Sequence, residues 1–126
     1  MATILIMDDE EAILSFLKER LMGEGFNVLT ASDGKEGMNL FKDNQVDLVI
    51  TDILMPGQDG FNTIMELKKI SPNIKIIAMS GGGHGNPKYY LDTARSSGAK
   101  YTIEKPFKTS GLVEAVHELL KEDKTS

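Results

Sequence analysis

The sequence predicts an α/β protein, a three-layer (βα)5 sandwich in which a parallel five-stranded sheet lies between two layers of helices. Three observations predict it. Five short apolar runs alternate with five helical patterns along the 126 residues, and that strict βαβαβ order builds a parallel sheet with helices on both faces. Most of the runs are near-continuous rather than alternating, as strands covered on both sides are. The mass of 13.8 kDa fits one domain and leaves no room for two.

The elements follow in order. The first run is Ile4–Met7, and Glu11–Met22 after it carries Ile13, Leu14, Leu17 and Leu21 at helical spacing. Gly23-Glu24-Gly25 turns the chain into the second run, Phe26–Leu29. A short helix comes next, with Ser32 expected as its N-cap and Met38 and Phe41 on its buried side. The third run, Val46–Thr51, leads through the turn at Gly57–Gly60 to a helix over Phe61–Ile70. Ser71-Pro72-Asn73 then turns into Ile74–Met79, which a helix over Lys88–Ser97 follows. Gly98 precedes the weakest run, Tyr101–Ile103. The last helix starts near Thr109 or Ser110 and carries Leu112, Val113, Val116, Leu119 and Leu120. Residues 1–121 are expected to form the domain. Residues 122–126 are read as a polar tail that frays, either a natural end or the start of a linker to a further domain.

Composition excludes several function classes. Apolar residues make up 40% and charged residues 26%, with 14 basic and 19 acidic side chains and a net charge of −5. Residues 1–60 hold 12 acids and 4 bases, a net of −8, while residues 61–126 hold 7 acids and 10 bases, a net of +3. Such asymmetry points to a site, and it speaks against a generally basic surface that tracks phosphates, so no direct nucleic-acid partner is expected. The absence of cysteine excludes disulfides, thiol catalysis and thiolate metal sites. With only His84 and His117, a zinc site would lean on carboxylates. The N-terminal segment lacks a positive n-region, and no apolar stretch approaches the roughly 18 residues of a membrane span. A soluble, cytoplasmic protein without membrane insertion is expected.

Ligands of open α/β sheets bind at the carboxyl ends of the strands. After the first run stand Asp8, Asp9, Glu10 and Glu11; after the third, Asp52; after the fourth, Ser80; after the fifth, Lys105-Pro106. A parallel sheet brings these groups to one edge. Carboxylates a few ångströms apart repel by about 3–4 kcal/mol per pair at an effective dielectric near 20. Either proton sharing or a hard divalent cation must offset this, and a solvent-facing edge favours the cation. A metal on Asp8 and Asp9 lets Asp52 approach a phosphoryl group as nucleophile. Lys105 would then neutralise charge on the equatorial phosphoryl oxygens, and Ser80 would hydrogen-bond one of them.

At this point the chain resembles the CheY-like response-regulator receiver domains of two-component signalling, which have a flavodoxin-like fold. The resemblance rests on Ile4–Glu10, on Val49–Gly60, on Met79-Ser80, and on Gly98-Ala99 through Lys105-Pro106-Phe107. It covers essentially the whole chain in the family's order. The strand order 2-1-3-4-5 is implied by the family and not by periodicity. The resemblance implies that Asp52 accepts a phosphoryl group from a sensor histidine kinase or a histidine phosphotransfer protein. It implies that Asp8, Asp9, Asp52 and the backbone carbonyl of Leu54 bind Mg²⁺, that Ser80 and Lys105 contact the phosphoryl group, and that the Lys105–Pro106 bond is cis. The expected function is a single-domain response regulator that acts as a phosphorylation-controlled switch and docks an unknown downstream protein target, or else the receiver module of a longer regulator. It would be no enzyme beyond its own phosphoryl transfer and autodephosphorylation. Residues near Phe16 and Arg20 are implied to face a kinase, and Tyr89, Tyr90, Thr102 and Glu104 a target.

Two departures from the family's pattern stand out. The switch aromatic normally lies three residues before the lysine, at Thr102 here, whereas Tyr101 falls one place early. A one-residue offset in a strand turns the side chain to the other face, so Tyr101 and Thr102 both remain candidates for the switch. The segment Gly81–Lys88 is unusually long and glycine-rich. It is expected to be mobile, with Tyr89-Tyr90 taking over part of the readout.

Several of these residues also admit plainer readings. Asp8 and Asp9 could cap the first helix, but capping leaves Asp52 on the same edge unexplained. Asp59-Gly60 reads as turn chemistry. Gly81-Gly82-Gly83-His84-Gly85 lacks the Gly-Lys-Ser/Thr ending of a phosphate loop. His117 is expected on the surface. A flavodoxin-like cofactor binder is the main alternative function, yet four consecutive acids stand where its phosphate loop would lie. An aspartyl-phosphate hydrolase would carry its nucleophile on the first strand.

Overall fold

The computed structural model describes residues 1–55, 58–80 and 87–124. Strands β1 (Thr3–Met7), β2 (Asn27–Ala31), β3 (Leu48–Asp52), β4 (Lys75–Ser80) and β5 (Tyr101–Glu104) alternate with helices α1 (Glu11–Gly23), α2 (Gly34–Asp43), α3 (Gly60–Ile70), α4 (Pro87–Ser97) and α5 (Thr109–Lys124). All pairings within the sheet are parallel, in the order β2-β1-β3-β4-β5. This is the expected fold and strand order.

The near-continuous apolar runs are explained by the two covered faces. Ile4, Ile6, Leu48, Ile50, Ile77 and Met79 point to one side, against Leu14, Leu17 and Leu21 of α1 and Leu112, Val113 and Val116 of α5. The residues between them, Leu5, Met7, Val49, Ile76 and Ala78, pack against Phe41 of α2, Ile64 and Leu67 of α3 and Ala94 of α4. Alternate side chains of a strand face opposite ways, so a strand sandwiched between two helical layers needs apolar residues at every position. The edge strands β2 and β5 are only partly covered, which is why the fifth run reads weakly.

Three details correct the sequence reading. The N-cap of α2 is Asp33, not Ser32: its carboxylate accepts from the Glu36 amide at 2.8 Å, while the Ser32 amide donates to the Glu36 side chain at 3.2 Å. The helix starts one residue later than expected, and the carboxylate takes the position from which it reaches the free N–H groups of the first turn. A two-residue antiparallel ladder, Leu54–Met55 with Gln58–Asp59, lies between β3 and α3 and has no periodic signature. Helix α5 runs through Lys124, three residues into the segment read as a tail; residues 125 and 126 lie outside the described residues. No helix among the described residues is long and apolar enough to cross a membrane.

Candidate functional site

Strand register assembles the site. Met7 of β1 lies beside Thr51 of β3, so Asp8, the next residue, comes to the side of Asp52. Asp52 pairs with Met79 of β4, which sets Ser80 one step further along the same edge. The Lys105 amide donates to the Ser80 carbonyl at 2.7 Å and fixes the end of β5 there. The Lys105–Pro106 bond is cis, as expected.

Four of the residues read from the sequence converge. Oxygens of Asp8, Asp9 and Asp52 lie within 4.8 Å of one another. Asp8 is fully buried and Asp52 is 5% exposed, whereas Asp9 faces solvent. Lys105 Nζ donates to Asp8 Oδ2 at 2.8 Å and to Asp52 Oδ2 at 3.2 Å. Glu10 Oε1 stands 3.7 Å from the same ammonium. Burial pushes the Lys105 pKa down, but the hydrogen bond to Asp8 and the charge of Asp52 outweigh it and hold the ammonium above its ordinary value. Ser80 is buried, and its Oγ has no hydrogen-bond partner among the described residues. A buried hydroxyl without a partner is destabilising, so the site holds a donor that a bound acceptor oxygen would satisfy.

The capping reading of the acidic pair is set aside by the geometry. The N-cap of α1 is Glu10, and its side chain caps nothing. Asp8 Oδ1 instead accepts from the Glu10 amide at 2.9 Å. The donor set fits Mg²⁺: three carboxylates, all hard oxygen ligands, converge where their repulsion needs a cation. The same set does not suit a flavin phosphate, which would meet like charge.

The remaining candidates lie on neighbouring elements. Leu54 begins the short ladder, paired with Asp59. Tyr101 aligns with Ile77 and Thr102 with Ala78, so Tyr101 belongs to the face covered by α1 and α5 and Thr102 to the face covered by α4. Thr102 Oγ1 accepts from Arg95 Nη2 of α4 at 3.1 Å. Tyr89 is largely exposed, while Tyr90 is half-buried and stacks on Phe61 with ring centroids 6.3 Å apart. Of the glycine-rich segment, residues 81–86 lie outside the described residues. His117 is exposed, as expected, but it also pairs with Glu24 at 2.9 Å.

Sequence reasoning missed three residues. Glu10 entered only as one acid in a run of four, and its link to Lys105 required the tertiary contact. Arg95 gave no signal. Gly60, read as a turn residue, packs so tightly that a Cβ there would collide with the Ile53 backbone; the glycine itself was the available signal.

Two aspartates buried against a lysine, with a third carboxylate beside them, stand at the carboxyl ends of the strands, where doubly wound folds bind their ligands. Residues 4–117 match the response regulator receiver domain family, and the chain belongs to it. It is 36% identical over 119 residues to the chemotaxis protein CheY of Thermotoga maritima, covering 94% of this chain and 97% of that protein. It is also 36% identical over 118 residues to the probable transcriptional regulator ycf27 of Guillardia theta, covering 94% of this chain but only 45% of that longer protein. A receiver-domain crystal structure from Clostridium thermocellum superposes with a TM-score of 0.90 at 35% identity, covering 99% of this chain and 98% of the other. Receiver domains are signalling switches rather than conventional enzymes; they bind Mg²⁺ at an acidic pocket and interact with histidine kinases and downstream targets.

Proposed function

We propose that this protein is a Mg²⁺-dependent phosphoryl acceptor that takes the group onto Asp52 from a sensor histidine kinase or histidine phosphotransfer protein. The observation that carries the reading is the buried Asp52 carboxylate held beside Asp8, Asp9 and the Lys105 ammonium. Asp8, Asp9, Asp52 and the Leu54 carbonyl would hold Mg²⁺, which when bound supplies positive charge between the carboxylates and the incoming phosphoryl oxygens. A carboxylate oxygen of Asp52 attacks phosphorus as the bond to the donor imidazole nitrogen breaks, leaving an aspartyl phosphate. Lys105 balances charge on the equatorial oxygens, and Ser80 Oγ gains an acceptor that no described residue supplies. Movement of Ser80 would pass to α4 through Thr102, which shares its face of the sheet, rather than through Tyr101 on the other face. Tyr89 and Tyr90 at the start of α4 would contribute to the surface that a downstream protein reads.

Coverage of nearly the whole Thermotoga relative supports a single-domain regulator. Partial coverage of longer relatives supports the second reading, a receiver module. The test of the phosphoacceptor is intact mass after treatment with a small acyl-phosphate donor, with and without Mg²⁺. One phosphoryl adduct is expected, dependent on Mg²⁺ and absent in Asp52→Ala. An unchanged adduct in that variant overturns the assignment.

A further inference from the structure

Lys105 sits on the oxygens that a cation needs. Both oxygens of the buried Asp8 are engaged, Oδ1 by the Glu10 amide and Oδ2 by Lys105 Nζ. Asp52 Oδ2 is shared with the same ammonium. A cation that binds Asp8 and Asp52 therefore competes with Lys105, and the displaced ammonium, 12% exposed, needs another anion close by. Glu10 is that anion. Its Oε1 is 3.7 Å from Nζ, its side chain is 60% exposed, and although Glu10 occupies the N-cap of α1 its carboxylate caps nothing. A glutamate at an N-cap forgoes the bond that Ser, Thr, Asn or Asp would make there, and the carboxylate stays available to the lysine.

We infer that Glu10 is a positioning residue that receives Lys105 when a divalent cation takes Asp8 and Asp52, so that cation binding and lysine release are coupled through Glu10. The inference rests on the metal reading given above. It predicts a coupling between Glu10 and Lys105 in cation affinity, which a simple negative charge at Glu10 would not produce.

The test is a double-mutant cycle on the full chain, with Mg²⁺ affinity read by titration calorimetry for the wild type, Glu10→Gln, Lys105→Met and the double variant. With Lys105 present, Glu10→Gln is expected to weaken Mg²⁺ binding by about fivefold more than it does in the Lys105→Met background, the size of coupling usual for groups in contact. Equal weakening in both backgrounds overturns the inference, because Glu10 would then act only through its charge or through α1. Absence of Mg²⁺ binding in all four proteins overturns the metal reading and the inference with it. Lys105→Gln, which keeps a polar donor, completes the cycle should the methionine variant not fold.

Discussion

Two ion pairs of the same length lie at opposite ends of the sheet. At the carboxyl edge Lys105 Nζ and Asp8 Oδ2 are 2.8 Å apart; at the amino edge Arg20 Nη1 and Glu24 Oε2 are also 2.8 Å apart. The first pair is almost wholly removed from water, and the second is a solvated i,i+4 contact extended by His117 at 2.9 Å. Distance is therefore a poor guide to consequence. An exposed pair exchanges water for a partner at little net gain, whereas breaking a buried one strands a charge where water cannot follow. The same contrast holds for the backbone. Gly60 near the site has the Ile53 main chain against it, while a Cβ at Gly23, at the far end, would meet nothing within 4 Å. Gly60 is thus tightly constrained, and Gly23 is not.

Substitutions at the two ends probe that contrast. Lys105→Met removes the ammonium that Asp8 and Asp52 share, and in the absence of divalent cation it should cost about 3 kcal/mol of stability in urea unfolding. A loss no greater than that of a surface variant would show the pair to be solvated after all. Gly60→Ala drives a methyl group into the Ile53 backbone and should cost about 1–3 kcal/mol by the same measurement. Gly23→Ala is the control, expected to be near neutral.

Glu24→Gln should have only a small effect. The Glu24 carboxyl is held below its ordinary value of 4.5, first by the hydrogen bond with His117 and then by that with Arg20. A carboxyl with a depressed folded pKa contributes stability above its unfolded pKa and loses it as pH falls through the folded one. The small difference in melting temperature between wild type and Glu24→Gln should thus be present at neutral pH and close in acid below the ordinary value. A difference that persists in strong acid would mean that the contact works through something other than charge.

Much of this was legible in the chain. Asp8, Asp52, Ser80 and Lys105 each stand at or just past the end of an apolar run, and a parallel sheet leaves them no other edge to share. Asp33 in place of Ser32 shows where local reasoning falls short, because both residues are good caps and a one-residue shift of the helix start decides between them. Glu10 shows a second limit: a run of four acids looks uniform until a lysine 95 positions later in the chain reaches one of them.

The layers, the alternation and the edge that carries the polar residues are legible from local pattern, because periodicity and strand-end position are properties that every residue of a run reports together. Tertiary structure alone decided which oxygens Lys105 holds and that Ser80 Oγ has no partner among the described residues. It also decided that Thr102, not Tyr101, lies beneath α4, bonded to Arg95. Those facts depend on the register of β4 against β5 and on side-chain reach across tens of residues, where a shift of one position reverses the answer.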